Sequence, residues 1–298
     1  MRWAQTLCTV ALSACGFSIS GGNAVIDAGD GGADAPDGSA PDAMIDAIPI
    51  DAPTTSGWIA PVLVDIPDGD DPTLTDDLLQ IWLERDGDIY HASRANVLSA
   101  FGAVTKVDAL STADPETTPE VAPNGSSMTL ARTVGGNTDI YISTFAGGTW
   151  TAAIPITDIN SSASDTGAVI SGDRTMLAMT STKSGNPDIY ISTRASVTMP
   201  WGTPVAATEL NSAMHDGSAF LANNKLMICF DTLRASTQND IYCARRTTPG
   251  VPFDPPLPLT AINSASRDED PWLSADGRTI VFWSDRDGTS QLYLSRFL

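Results

Sequence analysis

The chain has 298 residues, with 16 basic and 36 acidic side chains, and its net charge is -20 at pH 7. Nucleic-acid binding requires clustered Lys and Arg that release counterions from phosphates, and no basic residue occurs between Arg2 and Arg85. An anionic membrane surface would also repel this charge. The composition therefore argues against both partners and favours a soluble domain in an ion-rich compartment.

The first residues have the features of an export signal. A basic residue, Arg2, precedes an apolar stretch through residues 10–12 that is too short to serve as a transmembrane anchor. The stretch ends in Leu12-Ser13-Ala14-Cys15, which resembles the lipobox of bacterial lipoproteins. A signal peptide cleaved further along the chain, for example after Ala24, is the alternative interpretation.

The lipobox resemblance implies a processed, lipid-anchored protein. In that family the signal, here residues 1–14, is removed before the cysteine, here Cys15, whose thiol is diacylated. More than one acyl chain gives stable anchoring. Gly16 stands where an aspartate retains enterobacterial lipoproteins at the inner membrane. We therefore expect an exported protein attached to the outer membrane through its lipid, on the periplasmic side or at the cell surface.

Residues 15–57 have the composition of an acidic, disordered linker. They are rich in Asp, Gly, Ala and Pro and contain few large apolar side chains. Such a segment cannot bury enough surface to offset its chain entropy. A flexible coil of this length spans on the order of 35 Å, and repulsion between like charges extends it. The linker is predicted to hold the folded body away from the membrane.

From residue 58 onward the sequence repeats with a period near fifty residues. Every tyrosine of the chain marks the period: Tyr90, Tyr141, Tyr190, Tyr242 and Tyr293. A period of this length is typical of solenoids, arrays and propellers. Each full unit has four apolar stretches separated by turn residues, and some stretches, such as residues 280–283, are apolar throughout. Such strands need cover on both faces, which blades stacked around an axis provide.

The last unit carries a family resemblance. Residues 271–277 are Pro-Trp-Leu-Ser-Ala-Asp-Gly, an apolar strand follows, and residues 284–288 are Ser-Asp-Arg-Asp-Gly, ahead of Leu292-Tyr293. This pattern resembles the WD40-like PD40 repeat of TolB-type propellers, and weaker copies extend the match over residues 58–298. The resemblance implies an all-β, five-bladed β-propeller over that range. It is weak evidence for function, because such repeats serve many roles.

The ends of the repeat region predict how the ring closes. The last unit has only three strands, and an additional strand over residues 60–66 precedes the first unit. We expect this N-terminal strand to close the last blade, because closure removes exposed sheet edges. An aromatic residue stands before each outer strand, and packing between blades is favoured over a sugar-stacking platform for this set: Trp58, Phe101, Trp150, Trp201 and Phe253.

Acidic residues lead into the innermost strand of every unit. In a propeller they would meet near one mouth of the channel, where convergent oxygens suit calcium or sugar hydroxyls. The alternative is that each carboxylate caps its own turn through backbone N–H groups. The candidate ligand-binding residues are these acids and one neighbouring histidine: Asp71, Asp114, Glu116, Asp165, His215, Asp216, Asp268 and Asp270.

Cys229 and Cys243 fall in two strand-like runs joined by a polar loop. If the loop centres on Ser236, the two residues face each other across a hairpin, where opposed Cα atoms come close enough for a disulfide. Export to an oxidising compartment permits the bond. Two buried thiols are the alternative, and the sequence does not separate the two cases.

The sequence lacks recognisable catalytic motifs. Some five-bladed propellers are glycoside hydrolases that use a carboxylate pair, but no glutamate of this chain lies in a motif that matches them: Glu84, Glu116, Glu120, Glu209 and Glu269. No G-x-S-x-G nucleophile elbow occurs, and His91 and His215 are the only histidines. We predict a monomeric, non-catalytic propeller that binds an envelope protein or polysaccharide and needs no cofactor, with calcium as the one ion considered. Glycoside hydrolysis at the acidic channel mouth is the alternative.

Overall fold

The computed structural model describes residues 57–298, and every regular element in that range is a β-strand. The predicted signal peptide, the lipidation site Cys15 and the acidic linker, apart from Gly57, lie outside the described residues. No helix in the described range has the length and apolar character that a membrane crossing needs.

The strands form five antiparallel sheets, which we call blades 1 to 5. A single strand, β1 (Val62–Pro67), comes first. Blade 1 contains β2 (Asp70–Leu74), β3 (Gln80–Arg85), β4 (Asp88–Ser93) and β5 (Thr105–Lys106). Blade 2 contains β6 (Glu116–Val121), β7 (Ser127–Val134), β8 (Asn137–Ala146), β9 (Thr149–Trp150) and β10 (Ile154–Pro155). Blade 3 contains β11 (Asp165–Ile170), β12 (Met176–Ser181), β13 (Asp188–Thr193) and β14 (Val205–Ala206). Blade 4 contains β15 (Asp216–Leu221), β16 (Met227–Thr232), β17 (Asp240–Arg245) and β18 (Leu257–Pro258). Blade 5 contains β19 (Asp268–Leu273), β20 (Thr279–Ser284) and β21 (Gln291–Arg296).

The five sheets stand around one axis. Their innermost strands β2, β6, β11, β15 and β19 contact one another in a closed cycle. The second strands β12, β16 and β20 are buried along their whole length, because each blade is covered by a neighbour on both faces. This arrangement confirms the predicted all-β, five-bladed β-propeller.

The first strand closes the ring. β1 pairs antiparallel with β21 and becomes the fourth strand of blade 5, with Val62 opposite Leu294. The Ser295 hydroxyl donates a hydrogen bond to the Ile59 carbonyl, and Trp58 forms a bridge with Phe297. The predicted closure by the N-terminal strand is therefore confirmed, and it removes two sheet edges that would otherwise be open.

The repeated tyrosine has a structural explanation. In every blade a cation lies over the tyrosine ring, 3.8–5.2 Å from the ring centroid. Such cation–π contacts stabilise a partly buried aromatic ring. The pairs are Arg85 with Tyr90, Arg132 with Tyr141, Lys183 with Tyr190, Arg234 with Tyr242 and Arg286 with Tyr293. The tyrosines therefore recur about every fifty residues because each blade contains one such contact between a cation and a tyrosine ring.

The aromatic residues that precede the outer strands pack between blades. Trp150, Trp201 and Phe253 are buried. An arginine from the end of the third strand covers the ring in three blades, with its guanidinium carbon 4.1–4.4 Å from the ring centroid. Such burial and coverage fit the packing role that was favoured over a sugar platform for this set.

Cys229 and Cys243 are joined by a disulfide. They lie directly opposite each other on β16 and β17, and their Cα atoms are 4.1 Å apart. Both residues are buried in the core of blade 4. The structure therefore contains the bond that the hairpin geometry allowed, rather than two separate thiols.

Candidate functional site

The predicted acids at the start of the innermost strands are buried in their own turns. Each carboxylate accepts hydrogen bonds from the backbone N–H and the hydroxyl of the residue four positions earlier, at 2.5–2.9 Å. The residues with this geometry are Glu116, Asp165, Asp216 and Asp268. Each carboxylate thus caps its own turn, which is the role that the capping alternative assigns to it. Asp114 is exposed in the turn before β6.

An arginine completes the cap in three of these four turns. Arg132, Arg234 and Arg286 pair with the carboxylates of Glu116, Asp216 and Asp268 at 2.5–2.7 Å, so each of these three buried charges has a partner. In Asp216 and Asp268 the arginine takes the oxygen that the turn leaves free. Blade 3 is the exception, because Lys183 stands in place of the arginine and donates to the Pro204 carbonyl instead. Oδ1 of Asp165 is consequently buried without a hydrogen-bond partner.

The residue of each innermost strand that lies at the axis is not the capping acid but one further along the strand. In every one of these strands a β-bulge interrupts the register with the next strand, and the residue at the bulge has a positive φ of 45–55°. These residues are Asp71, Thr118, Gly167, Ser218 and Asp270. Backbone N–H groups link neighbours around this axial ring: Thr118 N donates to Asp71 Oδ2, and Gly167 N donates to Thr118 Oγ1, both at 3.0 Å.

The axial ring brings two of the predicted acids together with a third. Carboxylate oxygens of Asp70, Asp71 and Asp270, which we call the acidic cluster, lie within 4.8 Å of one another. Burial, together with the charge of Asp70, raises the pKa of Asp71 to about 8. Burial and the charge of Asp71 raise the pKa of Asp270 well above its ordinary value. Two carboxylates this close repel each other when both are ionised, so the raised pKa of Asp71 favours a protonated carboxyl in the cluster near neutral pH.

The acidic cluster encloses little space. A cavity of about 30 Å³ lies inside the axial ring, which is room for about one or two water molecules. Calcium takes roughly six to eight oxygen ligands, more than the three acids supply as one ligand each, so an ion here would depend on water or backbone oxygens. Protonation of Asp71, whose pKa is about 8, also lowers the negative charge of the site. Calcium at the axis stays a prediction.

His215 belongs to a network beside the acidic cluster. Its Nε2 lies 2.7 Å from Oδ1 of Asp231, a buried residue of β16 that is not among the acids predicted from the sequence. The other oxygen of Asp231 accepts a long hydrogen bond, 3.4 Å, from the Asp270 N–H. Burial lowers the pKa of His215, but the hydrogen bond to Asp231 and its charge outweigh burial and raise that pKa. The imidazole is thereby held as a partner of a buried carboxylate.

A much larger cavity opens on the other side of the axial ring. This axial cavity has a volume of about 570 Å³ and is lined by residues from all five blades, at the ends of the innermost strands and in the turns that follow them. Its walls include the edge-to-face pair Phe220 and Trp272, with ring centroids 6.0 Å apart. Asn223 and Asn224 contribute amide groups to its lining.

Glu120 lies between the axial cavity and the axial ring, since it lines both spaces. The Thr73 hydroxyl donates a hydrogen bond to its carboxyl at 3.0 Å. Burial raises the pKa of Glu120 to about 8, so the group is protonated at neutral pH and can both donate and accept hydrogen bonds. The sequence contained a signal for this residue, because the corresponding position in the other blades is not acidic: Thr73, Val169, Phe220 and Trp272.

Comparisons with known proteins identify the fold and no closer relationship. No protein-family model matches the sequence, and no curated protein matches it. Among solved structures, a putative TolB from Agrobacterium tumefaciens is 20% identical, with a TM-score of 0.48, and the alignment covers 72% of this chain and 69% of that one. TolB from Acinetobacter baumannii is 18% identical, with a TM-score of 0.46; the alignment covers 76% of this chain and 53%, about half, of that protein.

The catalytic domain of a GH62 α-L-arabinofuranosidase from Coprinopsis cinerea is also similar. It is 11% identical, with a TM-score of 0.54, and the alignment covers 82% of this chain and 98% of that domain. TolB propellers and arabinofuranosidase domains are thus both among the structures that resemble this chain. At these low identities the similarities show the propeller fold alone.

Proposed function

We propose that this chain is a non-catalytic binding propeller of the cell envelope, which takes an envelope protein or polysaccharide in its axial cavity. The cavity itself carries the proposal: about 570 Å³, contributed by all five blades, with Glu120 at its inner end. Ligand sites of proteins are commonly concavities of roughly 300–1,000 Å³ with apolar walls and few polar groups, often beside residues with shifted pKa values. The net charge of -20 favours a neutral or basic ligand over an anionic one.

The geometry of the acidic cluster supports binding over hydrolysis. Glycoside hydrolases place two carboxyl groups on either side of a glycosidic bond, about 5–5.5 Å apart or about 6.5–9.5 Å apart. Here carboxylate oxygens of Asp71 and Asp270 lie within 4.8 Å of each other and line a space of about 30 Å³, which has no room for a sugar ring. Glycoside hydrolysis at this end of the channel is therefore the less well supported alternative.

The envelope location rests on the sequence alone. The lipobox resemblance predicts acylation of Cys15, and the acidic linker would place the propeller at a distance from the membrane. Metabolic labelling with a fatty-acid analogue tests this part separately. Label is expected in the full chain and absent from a Cys15→Ser variant, whereas an unlabelled full chain would contradict the anchoring.

The binding role is tested by capturing ligands from native envelopes after mild crosslinking, with the lipidated protein as bait. Ala275→Trp places a bulky side chain in the lining of the axial cavity. Ala195→Trp is the matched control, because Ala195 is exposed in the loop after β13, outside that lining. We expect one reproducible protein or glycan with the wild type and the control and its loss with Ala275→Trp. Equal capture by all three would contradict binding in the cavity.

A further inference from the structure

Blades 1 and 2 enclose a second cavity away from the axis. This groove has a volume of about 470 Å³. Four rings form a continuous series through its lining: His91 and Trp82 of blade 1, then Trp150 and Phe145 of blade 2, with successive centroids 4.7, 6.0 and 5.2 Å apart. Among the described residues, the other contacts between aromatic rings are isolated pairs, and no similar series of rings occurs between other neighbouring blades.

An extension specific to blade 2 builds one wall of the groove. β8 has 10 residues, whereas the third strands of the other blades have 6. The additional residues pair with β9 in a hairpin, where Phe145 lies opposite Trp150 and Gly147 and Gly148 form the turn with positive φ. The Phe145 ring is packed on Trp150 and is still 45% exposed. The extension therefore presents an aromatic ring to solvent at the edge of a cavity.

The wall that blade 1 contributes contains residue types that the other blades do not have at the equivalent positions. Trp82 and His91 form a cross-strand pair in blade 1. At the same register the other blades carry Thr129 with Ile142, Ala178 with Ile191, the disulfide pair Cys229 with Cys243, and Val281 with Leu294. In these four blades, small or aliphatic pairs are enough to pack the blade against its neighbour. A tryptophan beside an imidazole is thus an addition that packing does not require.

The groove also has polar groups suited to a ligand rich in hydroxyls. Gln80 and Asn124 supply amides and Thr149 supplies a hydroxyl. Trp82 is only 4% exposed, and its Nε1–H, a buried donor, has no hydrogen-bond partner. Buried indole N–H groups usually find an acceptor. This nitrogen is enclosed by protein atoms, so the polar groups that the groove offers directly to a ligand are the amides and the hydroxyl.

We propose that the groove between blades 1 and 2 binds a neutral oligosaccharide. Pyranose rings combine apolar C–H faces, which pack on aromatic rings such as Phe145, with hydroxyls that exchange hydrogen bonds with amides such as those of Gln80 and Asn124. The net charge of -20 disfavours an acidic glycan. A peptide added to a sheet edge is disfavoured because the edge strands here, β5 and β10, have only 2 residues each.

The test is calorimetric titration of the folded protein with β-1,4-linked tetrasaccharides of glucose, xylose and mannose, and with tetragalacturonate as the acidic counterpart. We expect at least one neutral probe to bind with a Kd below about 5 mM, and tetragalacturonate to bind at least about tenfold more weakly. Absence of binding by all three neutral probes would overturn the proposal, and so would preferential binding of the acidic probe.

Two variants locate the binding. Phe145→Ala removes an exposed ring and is expected to weaken binding about tenfold, whereas Ile154→Ala, which truncates an exposed side chain of the same blade, should leave it within about twofold. The Ala275→Trp variant separates this groove from the axial cavity. Loss of sugar binding in Ala275→Trp with full binding in Phe145→Ala would overturn the assignment to the groove.

Discussion

Replacing Glu120 with glutamine should make the propeller more stable at neutral pH and flatten its pH dependence. The pKa of Glu120 is about 8 in the folded chain against an ordinary value of 4.5. Below pH 4.5 the group is protonated in both states and adds no pH dependence. Between pH 4.5 and 8 the unfolded chain has released the proton and the folded chain has not, so stability falls as the pH rises.

The magnitude follows from the interval between the two pKa values. At pH 7 the unfolded carboxyl has been ionised over about 2.5 pH units, and at about 1.4 kcal/mol per unit the wild type loses about 3 kcal/mol relative to pH 4.5. Glutamine stays neutral and still accepts the hydrogen bond from Thr73. Glu120→Gln should therefore raise the melting temperature at pH 7 by about 6–12 °C, for a domain of this size.

The assay is thermal unfolding of wild type and Glu120→Gln at several pH values between 4.5 and 8.5. Glu209→Gln is the matched control, because Glu209 is exposed in a turn. Asp71 and Glu269, with pKa values raised by burial to about 8 and about 7, tilt the stability of every variant in the same direction. Only the difference between variants is therefore diagnostic. Parallel pH profiles for wild type and Glu120→Gln would refute the argument that Glu120 is a neutral acid in the folded chain.

Three further predictions concern the fold. Lys183→Arg should supply the missing partner of Asp165 Oδ1 and raise the free energy of unfolding by about 1–2 kcal/mol in urea titrations; an unchanged midpoint would contradict it. Reducing the Cys229–Cys243 bond, which closes a loop with a sequence separation of 14, should cost about 3 kcal/mol, and full thiol labelling of the unreduced, denatured protein would show that no bond exists. Deleting residues 58–67 removes β1 and should abolish cooperative unfolding, whereas an unchanged melting temperature would refute ring closure by that strand.

The architecture could be predicted because each blade repeats the same local contacts. The cation over each tyrosine ring requires one basic residue and one tyrosine in every unit, so the period is visible in the sequence. The closing strand was also predictable, since the last unit was one strand short and a strand preceded the first unit. Both the repeat period and the closing strand could be inferred because all five units share the same strand pattern.

The candidate site was harder to predict because it depends on geometry inside one strand. Asp268 and Asp270 are two residues apart, yet the first caps a turn and the second lies in the axial ring. A β-bulge with a positive φ at Asp270 separates their roles, and bulges have no reliable signature in one sequence. Asp231 was missed for a related reason, since only the folded register brings it beside the axis. The signal at Glu120, an acid where the other blades have none, becomes readable once the strands are aligned at their bulges.

The most direct test of the central claim is site-specific photocrosslinking in native envelopes. A benzoylphenylalanine replaces either Asn223, in the lining of the axial cavity, or Thr237, exposed in the turn between β16 and β17 at the opposite end of blade 4. If the axial cavity takes the ligand, a reproducible adduct forms from position 223 and not from position 237. Adducts from position 237 alone, or equally from both positions, would contradict the account.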